Sequence, residues 1–337
     1  MILILIYLIL FTVFAKEDLY FNEETKTLTI QTEGYISKFQ IQKYCYENEI
    51  NENQIEQIQL GKNVQFDTHS FNRLRNIKSI SVDEQNPFYK VNNNIVYSKD
   101  GTKLIYYPSG LNNVQLTIAE NVEMIETYAI VTNEITSIKY PQAIKQIQSE
   151  CFYSGEKLKN LLIPENVQFI GEYAFAFNDY LKEVIVTSKN ITIEEGTFYG
   201  CTNLKKVLIV SEYVDIENDV FYGSLVESIK VMESFENINQ FENIILQKVL
   251  NKGSCGLDCN WIYDKEEKRV YIYGEGDFTS ISDFEYSNDV IELVVKNEFE
   301  SIECSELSFI NNEKFVGIKV NEEYKQNIFC SKSVSRY

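Results

Sequence analysis

The chain has 337 residues, 44% apolar and 24% charged, a globular composition. Its 50 acidic residues outnumber 31 basic ones, for a formal charge of −19. That excess argues against nucleic acid and anionic membrane surfaces as partners and reads as a well-solvated acidic exterior.

Residues 1–15, MILILIYLILFTVFA, form an apolar run broken by one threonine. The run suits a signal-peptide core and falls short of the ~20 residues a spanning helix needs. Val13 and Ala15 are small enough for cleavage after Ala15, although no basic residues precede the run. No later stretch approaches spanning length, so a mature chain without a transmembrane segment is expected. Residues 16–54 read as an N-terminal cap. Within it, DLYFNEETKTLTIQTEG is patterned as a hairpin turning at Glu23–Lys26, with Leu28 and Ile30 alternating on its second strand.

A repeat array is expected over 55–250. Ile58, Leu60 and Val64 mark its first turn. The period then breaks at an insertion over 83–112. Asn86-Pro87 reads as a turn, and Asn94–Ser98 and Lys103–Tyr107 read as strands joined at Asp100-Gly101, a strong hairpin signal. From Ile135 to Val226 the chain is written four times in blocks of 23, opening at Ile135, Leu158, Leu181 and Leu204. The fourth and sixth places are apolar, as in Leu161 and Ile163. An isoleucine holds the thirteenth place (Ile147, Ile170, Ile193, Ile216) and a phenylalanine the eighteenth (Phe152, Phe175, Phe198, Phe221). A fixed period of this length marks a solenoid. One turn cannot bury its own apolar face, whereas stacked turns can, so the strands should join into a parallel sheet and the isoleucines and phenylalanines into interior columns. The fold class is therefore a β-rich, α/β-type repeat solenoid with short parallel strands. Residues 251–337 read as a second β-rich unit with degenerate repeats.

The block from Leu158 resembles the leucine-rich repeat of BspA-like surface proteins of bacteria and protists, L-x-x-V-x-I-P-x-x-V-x-x-I-G-x-x-A-F-x-x-C. Leu158, Leu161, Ile163, Pro164, Val167, Ile170, Gly171, Ala174 and Phe175 carry the match, and Cys201 falls on the cysteine place. The blocks from Leu181 and Leu204 lack the proline and slide the valine by one place. Asn86, Pro87, Tyr89, Tyr97–Thr102, Leu104 and Pro108 resemble the family's NP-x-Y…G-x-L-Y-S-K-D-G-T insertion, and Cys255, Gly256, Trp261, Asp264, Ile272, Gly274 and Gly276 its C-terminal unit. The resemblance covers most of 55–320. It implies a leucine-rich repeat surface antigen, secreted or held at the cell surface. Such a protein would act in adhesion to host or neighbouring cells or matrix, and no cofactor is implied.

The remaining chemistry is sparse. His69 is the one histidine, and no metalloprotease, nucleophile-elbow or phosphate-loop motif accompanies it, so catalysis is not expected. Of seven cysteines, Cys151 and Cys201 occupy core places and read as buried thiols. Cys255, Cys259, Cys304 and Cys330 could form one or two disulfides; a four-thiolate zinc site is the alternative. Asn190-Ile191-Thr192 is a glycosylation sequon on the turn after a strand, with Asn190 as acceptor. In the register of the strands, third and fifth places point outward. Leu162, Ile185 and Leu208 should then form an exposed apolar ladder, bracketed by Lys139 and Lys230 and flanked by Asn160, Glu183 and Lys206. Such a patch is a candidate site for a protein or glycan ligand. A structural coat that binds copies of itself is the competing reading. An intracellular scaffold would replace both if residues 1–15 were retained.

Overall fold

The structure, a computed structural model, describes residues 18–130, 134–155, 157–235, 244–274, 277–281, 284–296, 302–310, 313–320, 328–329 and 333–336. Residues 1–15, expected to be a signal peptide, and Cys330 lie outside the described residues.

The repeats build a solenoid with two parallel ladders. One joins Asn160–Ile163, Glu183–Val186, Lys206–Ile209 and Ser228–Met232, in the register Leu161↔Val184↔Val207. This is the strand pattern the fourth and sixth places require, since alternate residues must reach the interior together. The second ladder was not anticipated as strands. It joins Met124–Ile125, Gln146–Ile147, Phe169–Ile170, Asn190–Ile193 and Tyr213–Ile216. Its members are two to four residues long, too short for alternation to show in the sequence. The thirteenth-place isoleucines stand opposite one another in it, Ile147↔Ile170↔Ile193↔Ile216. Phe152, Phe175, Phe198 and Phe221 stack inside, with centroids 5.0, 5.7 and 5.6 Å apart and planes within 15° of parallel.

At the N-terminal end, Leu19–Asn22 and Thr27–Ile30 form the antiparallel hairpin. Its second strand also pairs in parallel with Gln57–Leu60, so the hairpin covers the open end of the array. A helix over Lys38–Glu47 follows, unread in the sequence although Ser37 and Gln40 form a capping box. Its amphipathicity is weak: Ile41 and Cys45 are its only buried residues among those described.

The insertion is a three-stranded antiparallel sheet of Tyr89–Asn92, Ile95–Ser98 and Lys103–Tyr106. Its signature residues are structural. Asn86 is fully buried. Its amide donates to the carbonyls of Gly61 and Val64, both at 3.0 Å, and its oxygen accepts from the Phe88 and Tyr89 N–H groups. The Tyr89 hydroxyl donates to the Phe66 carbonyl at 2.8 Å. Asp100 accepts from the Thr102 N–H at 3.0 Å and the Ser98 hydroxyl at 2.6 Å, which closes the Asp-Gly turn.

After Ser228–Met232 the sheet does not stop. The strand Ile245–Gly256 pairs with it in parallel. Cys259–Asp264 and Arg269–Gly274 then meander back antiparallel, and Glu292–Val295, Gly317–Val320 and Ser333–Arg336 extend the sheet in parallel. The residue 250/251 boundary expected between two units thus falls inside one continuous strand. The meander carries apolar residues on both faces. Trp261, Tyr263, Val270, Ile272, Leu293 and Val295 form a C-terminal core. Ile262, Tyr271, Tyr273 and Val294 face the other way and belong to the repeat core. The sheet has curled over the outer face of its own repeats.

Candidate binding surface

The curl overturns one expectation. Leu162, Ile185 and Leu208 are not an exposed ladder: Ile185 is 2% and Leu208 0% exposed, and Leu162 is half-buried. The register argument itself held, because the fifth-place residues Gln59, Ser81 and Thr117 of earlier turns are exposed. The three turns with apolar fifth places are those that Tyr271, Tyr273 and Val294 cover. Apolar residues there answer a partner within the chain.

The flanking charges hold the cover down. Glu183 pairs with Lys296 of the returning sheet and lies 3.4 Å from Lys206. Lys206 also meets Glu267 at 2.7 Å. Lys230, expected on the rim, is buried and contacts Asp264 at 2.8 Å, Glu266 at 2.9 Å and Glu267 at 3.1 Å. The Tyr271 hydroxyl donates to Glu267 at 2.8 Å. Burial pushes the Glu183 carboxyl up, but Lys296 and Lys206 outweigh it and hold the pKa below the usual value. Glu267 follows the same pattern, burial opposed and overcome by Lys206, Tyr271 and Lys230. Lys139 alone of the bracketing lysines stays exposed, and Asn160 is half-buried at the edge of the cover.

The other sequence candidates are placed as follows. Cys255 and Cys259 form a disulfide, which removes both from any four-thiolate site. Cys304 begins a short 3-10 turn, Cys304–Glu306. Cys151 and Cys201 are buried free thiols, as is Cys45; burial pushes the Cys201 thiol up to about 12. Asn190 is exposed at the start of the strand Asn190–Ile193 rather than on a turn. His69 packs its ring 4.0 Å from that of Tyr128, with Asp67 4.0 Å from its Nδ1.

The broad open surface lies on the turns after the second ladder. Every repeat there takes up a left-handed backbone at two places. The first holds Glu150, Tyr173, Gly196 and Asp219 (φ 52°, 53°, 62°, 55°); the second holds Ser154, Phe177, Gly200 and Gly223 (φ 58°, 57°, 66°, 75°). Glycine fills such a position without strain, whereas a side chain costs roughly 1–2 kcal/mol there. Tyr173 and Phe177 accept that cost and send their rings outward. Tyr128 does the same two turns before Tyr173, at φ 57°. The rings lie over the next turn, where a Cβ at Gly196 would stand 2.4 Å from the Tyr173 ring. A continuous aromatic row results. Tyr153 and Phe177 are 5.2 Å apart, Phe177 and Tyr199 5.4 Å, and Tyr199 and Tyr222 5.4 Å. Phe177 is 39% and Tyr222 61% exposed.

Carboxylates share this edge. Segments 171–180, 194–203 and 217–226 hold six acidic residues and no lysine, arginine or histidine. Partial burial pushes the Glu194 carboxyl up; the Glu172 N–H opposes this, and the carboxylates of Glu172 and Glu217 push it further up. Like charges crowd this edge without a cation between them. Sequence reasoning missed the edge, although one signal was present: at two repeat places an aromatic stands where the next turn has glycine, Tyr173 before Gly196 and Phe177 before Gly200.

These features define a class: a parallel β-solenoid of leucine-rich repeats, capped at one end and closed over by its own sheet at the other. Residues 101–203 and 123–246 match the BspA type leucine rich repeat region, in six copies. Over that stretch the chain carries leucine-rich repeats of the BspA type. A leucine-rich repeat protein from Eubacterium ventriosum is similar at 23% identity, with a TM-score of 0.45, covering 57% of each chain. The pneumococcal vaccine antigen PcpA is similar at 20% identity, with a TM-score of 0.39, over 83% of this chain and 56% of that one. A leucine-rich repeat protein from Bacteroides ovatus is 18% identical, with a TM-score of 0.32, over 72% and 70%. The chain thus spans a little over half the length of the first two. No curated protein matches it. Among the described residues no helix is long and apolar enough to cross a membrane.

Proposed function

We propose that this chain is an exported, non-catalytic surface protein that works by adhesion, gripping a partner protein along the aromatic and acidic edge of its solenoid. The single observation that carries this reading is the cost accepted at Tyr128, Tyr173 and Phe177, bulky aromatic residues in a left-handed backbone where sister turns use glycine or polar residues. Side chains held against local strain mark function more often than chance. The chemistry of the edge selects the partner. Exposed rings over a field of unneutralised carboxylates attract lysine and arginine, through cation–π contact and charge. An extended basic segment laid along the solenoid axis would meet a new ring every ~5 Å, the strand spacing. Export through residues 1–15 and a glycan on Asn190 belong to the same reading.

The test uses a dodecapeptide of alternating arginine and glycine against the full chain. Binding should weaken steeply with salt. Replacing Tyr173 and Phe177 by glycine and Tyr222 by serine should remove about 2 kcal/mol, at roughly 0.5–1 kcal/mol per exposed cation–π contact, or about thirtyfold in Kd. Undiminished binding in that triple variant, or none in the parent, would overturn the reading. Protease shaving of intact cells tests the surface location separately.

A further inference from the structure

The curled sheet leaves a second feature that adhesion along the edge does not use. Where the tip of the returning meander meets the repeat face, it encloses a cleft of about 150 Å³. Leu162, Ile185 and Tyr273 line it, with Asn160 and Asn260 on opposite walls. The walls come from parts of the chain a hundred residues apart, so the cleft exists only in the closed arrangement.

The tip is built to stay in place. Cys255 and Cys259 staple its turn, and within it Asp258 accepts a hydrogen bond from the Gln142 amide of the repeats at 3.0 Å. Gly274 permits this, since a Cβ there would stand 2.0 Å from the Asp258 carbonyl oxygen. Of the charged residues at the cleft, Glu183 is paired with Lys296, Asp258 is held by the Gln142 amide, and Glu165 lies exposed at the rim. Among the described residues, the Asn160 and Asn260 side chains make no hydrogen bond. Ser137, which lines the cleft and is 6% exposed, has a buried hydroxyl with no partner in the chain. A buried hydroxyl left unpaired costs roughly 1–3 kcal/mol, a cost that a ligand hydroxyl reaching it would relieve.

We infer that this cleft is a binding site for one neutral sugar ring, the end of a glycan chain. The volume lies below the ~300–1,000 Å³ of pockets for drug-sized ligands, so one ring enters and the rest of a chain stays outside. Two amides and a hydroxyl offer paired donors and acceptors to vicinal hydroxyls. The Tyr273 ring, Leu162 and Ile185 offer an apolar floor to the C–H face of the ring. An anionic ligand would find its counter-charge taken, since Lys296, the one basic residue among the lining residues, is paired with Glu183.

Saturation-transfer difference NMR on the full chain, with glucose, galactose and N-acetylglucosamine as probes, tests this. At least one should receive saturation on its ring protons. Asn260→Ala and Asn160→Ser should each weaken that sugar at least tenfold, while Tyr222→Ser, on the far edge, leaves it unchanged. Circular dichroism and retained binding of the arginine peptide show that the variants remain folded, and keep this outcome separate from that of the edge. No saturation on any of the three sugars overturns the inference. So does a signal that survives both asparagine variants, which would mean that sugars bind elsewhere.

Discussion

Glu183 is the residue on which the closed arrangement can be tested most sharply. It is 8% exposed and pairs with Lys296, whose side chain is 9% exposed, across the seam between repeats and returning sheet. Glu183→Ala takes a carboxylate from beside the buried Lys296 ammonium, which keeps the Tyr271 ring at 5.5 Å. Removing one partner of a buried pair typically costs 3–5 kcal/mol. Lys206, the second neighbour, keeps Glu267 at 2.7 Å, so the loss falls mainly on Lys296. The expected cost is about 3 kcal/mol, the low end of that range. The double variant Glu183→Leu with Lys296→Met replaces the pair by apolar groups and should return to within ~1 kcal/mol of the parent. Urea unfolding gives both numbers, and amide exchange in the strand Glu292–Val295 locates them. That strand should exchange about a hundredfold faster in Glu183→Ala, from the same free energy. If Glu183→Ala costs under ~1 kcal/mol and exchange there does not change, the ion pair does not hold the sheet to the repeats.

Other outcomes follow from the same packing. Phe175→Ala removes a fully buried ring from the middle of the phenylalanine stack and should cost about 3–5 kcal/mol, read by urea denaturation. Ser154→Gly relieves a left-handed position that two sister turns give to glycine, and should raise stability by ~1 kcal/mol in the same assay. Acid should loosen the seam. The Glu183 and Glu267 carboxyls titrate lower folded than unfolded, so their stabilisation is full above the ordinary glutamate pKa and is lost as pH falls through the folded values. Urea midpoints taken from pH 7 down to pH 3 should fall further for the parent than for the Glu183→Leu, Lys296→Met pair. Reducing the Cys255–Cys259 disulfide opens a five-residue loop, for which loop-closure entropy predicts a loss of roughly 2 kcal/mol. Thermal melts with and without reductant read it.

The solenoid was legible because its information is local and repeated. Leu161, Ile163, Ile170 and Phe175 recur with a period of 23, and a stack of equivalent turns is the one arrangement that buries them all. The hairpin at Asp100-Gly101 was legible for a similar reason, since turn chemistry is confined to a few neighbours. The burial of Ile185 and Leu208 was not. It depends on where Tyr271 and Val294 land, residues 63 or more positions away with no period linking them. The helix Lys38–Glu47 was missed because its apolar stripe is thin. The aromatic edge was overlooked because Tyr173 and Phe177 stand beside core residues in the sequence and look like more of the same.

That confusion bears on how a leucine-rich repeat presents a surface. A strand ladder of this kind offers its open sheet face to a partner by default, and here that face over three turns is closed by the chain's own C-terminal strands. The closure is specific: Glu183, Lys206 and Lys230 each meet an opposite charge across the seam, and burying three charges unmatched would cost more than the contact returns. With the sheet face closed over those turns, a partner at that end of the solenoid would meet the edges or the seam. Both retain groups that the packed interior does not need. On the edge these are aromatic rings in left-handed backbone, at a place where glycine would be easier. In the seam they are amides and a hydroxyl without partners. A fold selected for stability alone would have placed glycine at 173 and 177 and a methyl group at Ser137. These departures lie on two separate surfaces, so the proposed basic segment and sugar ring would be held independently.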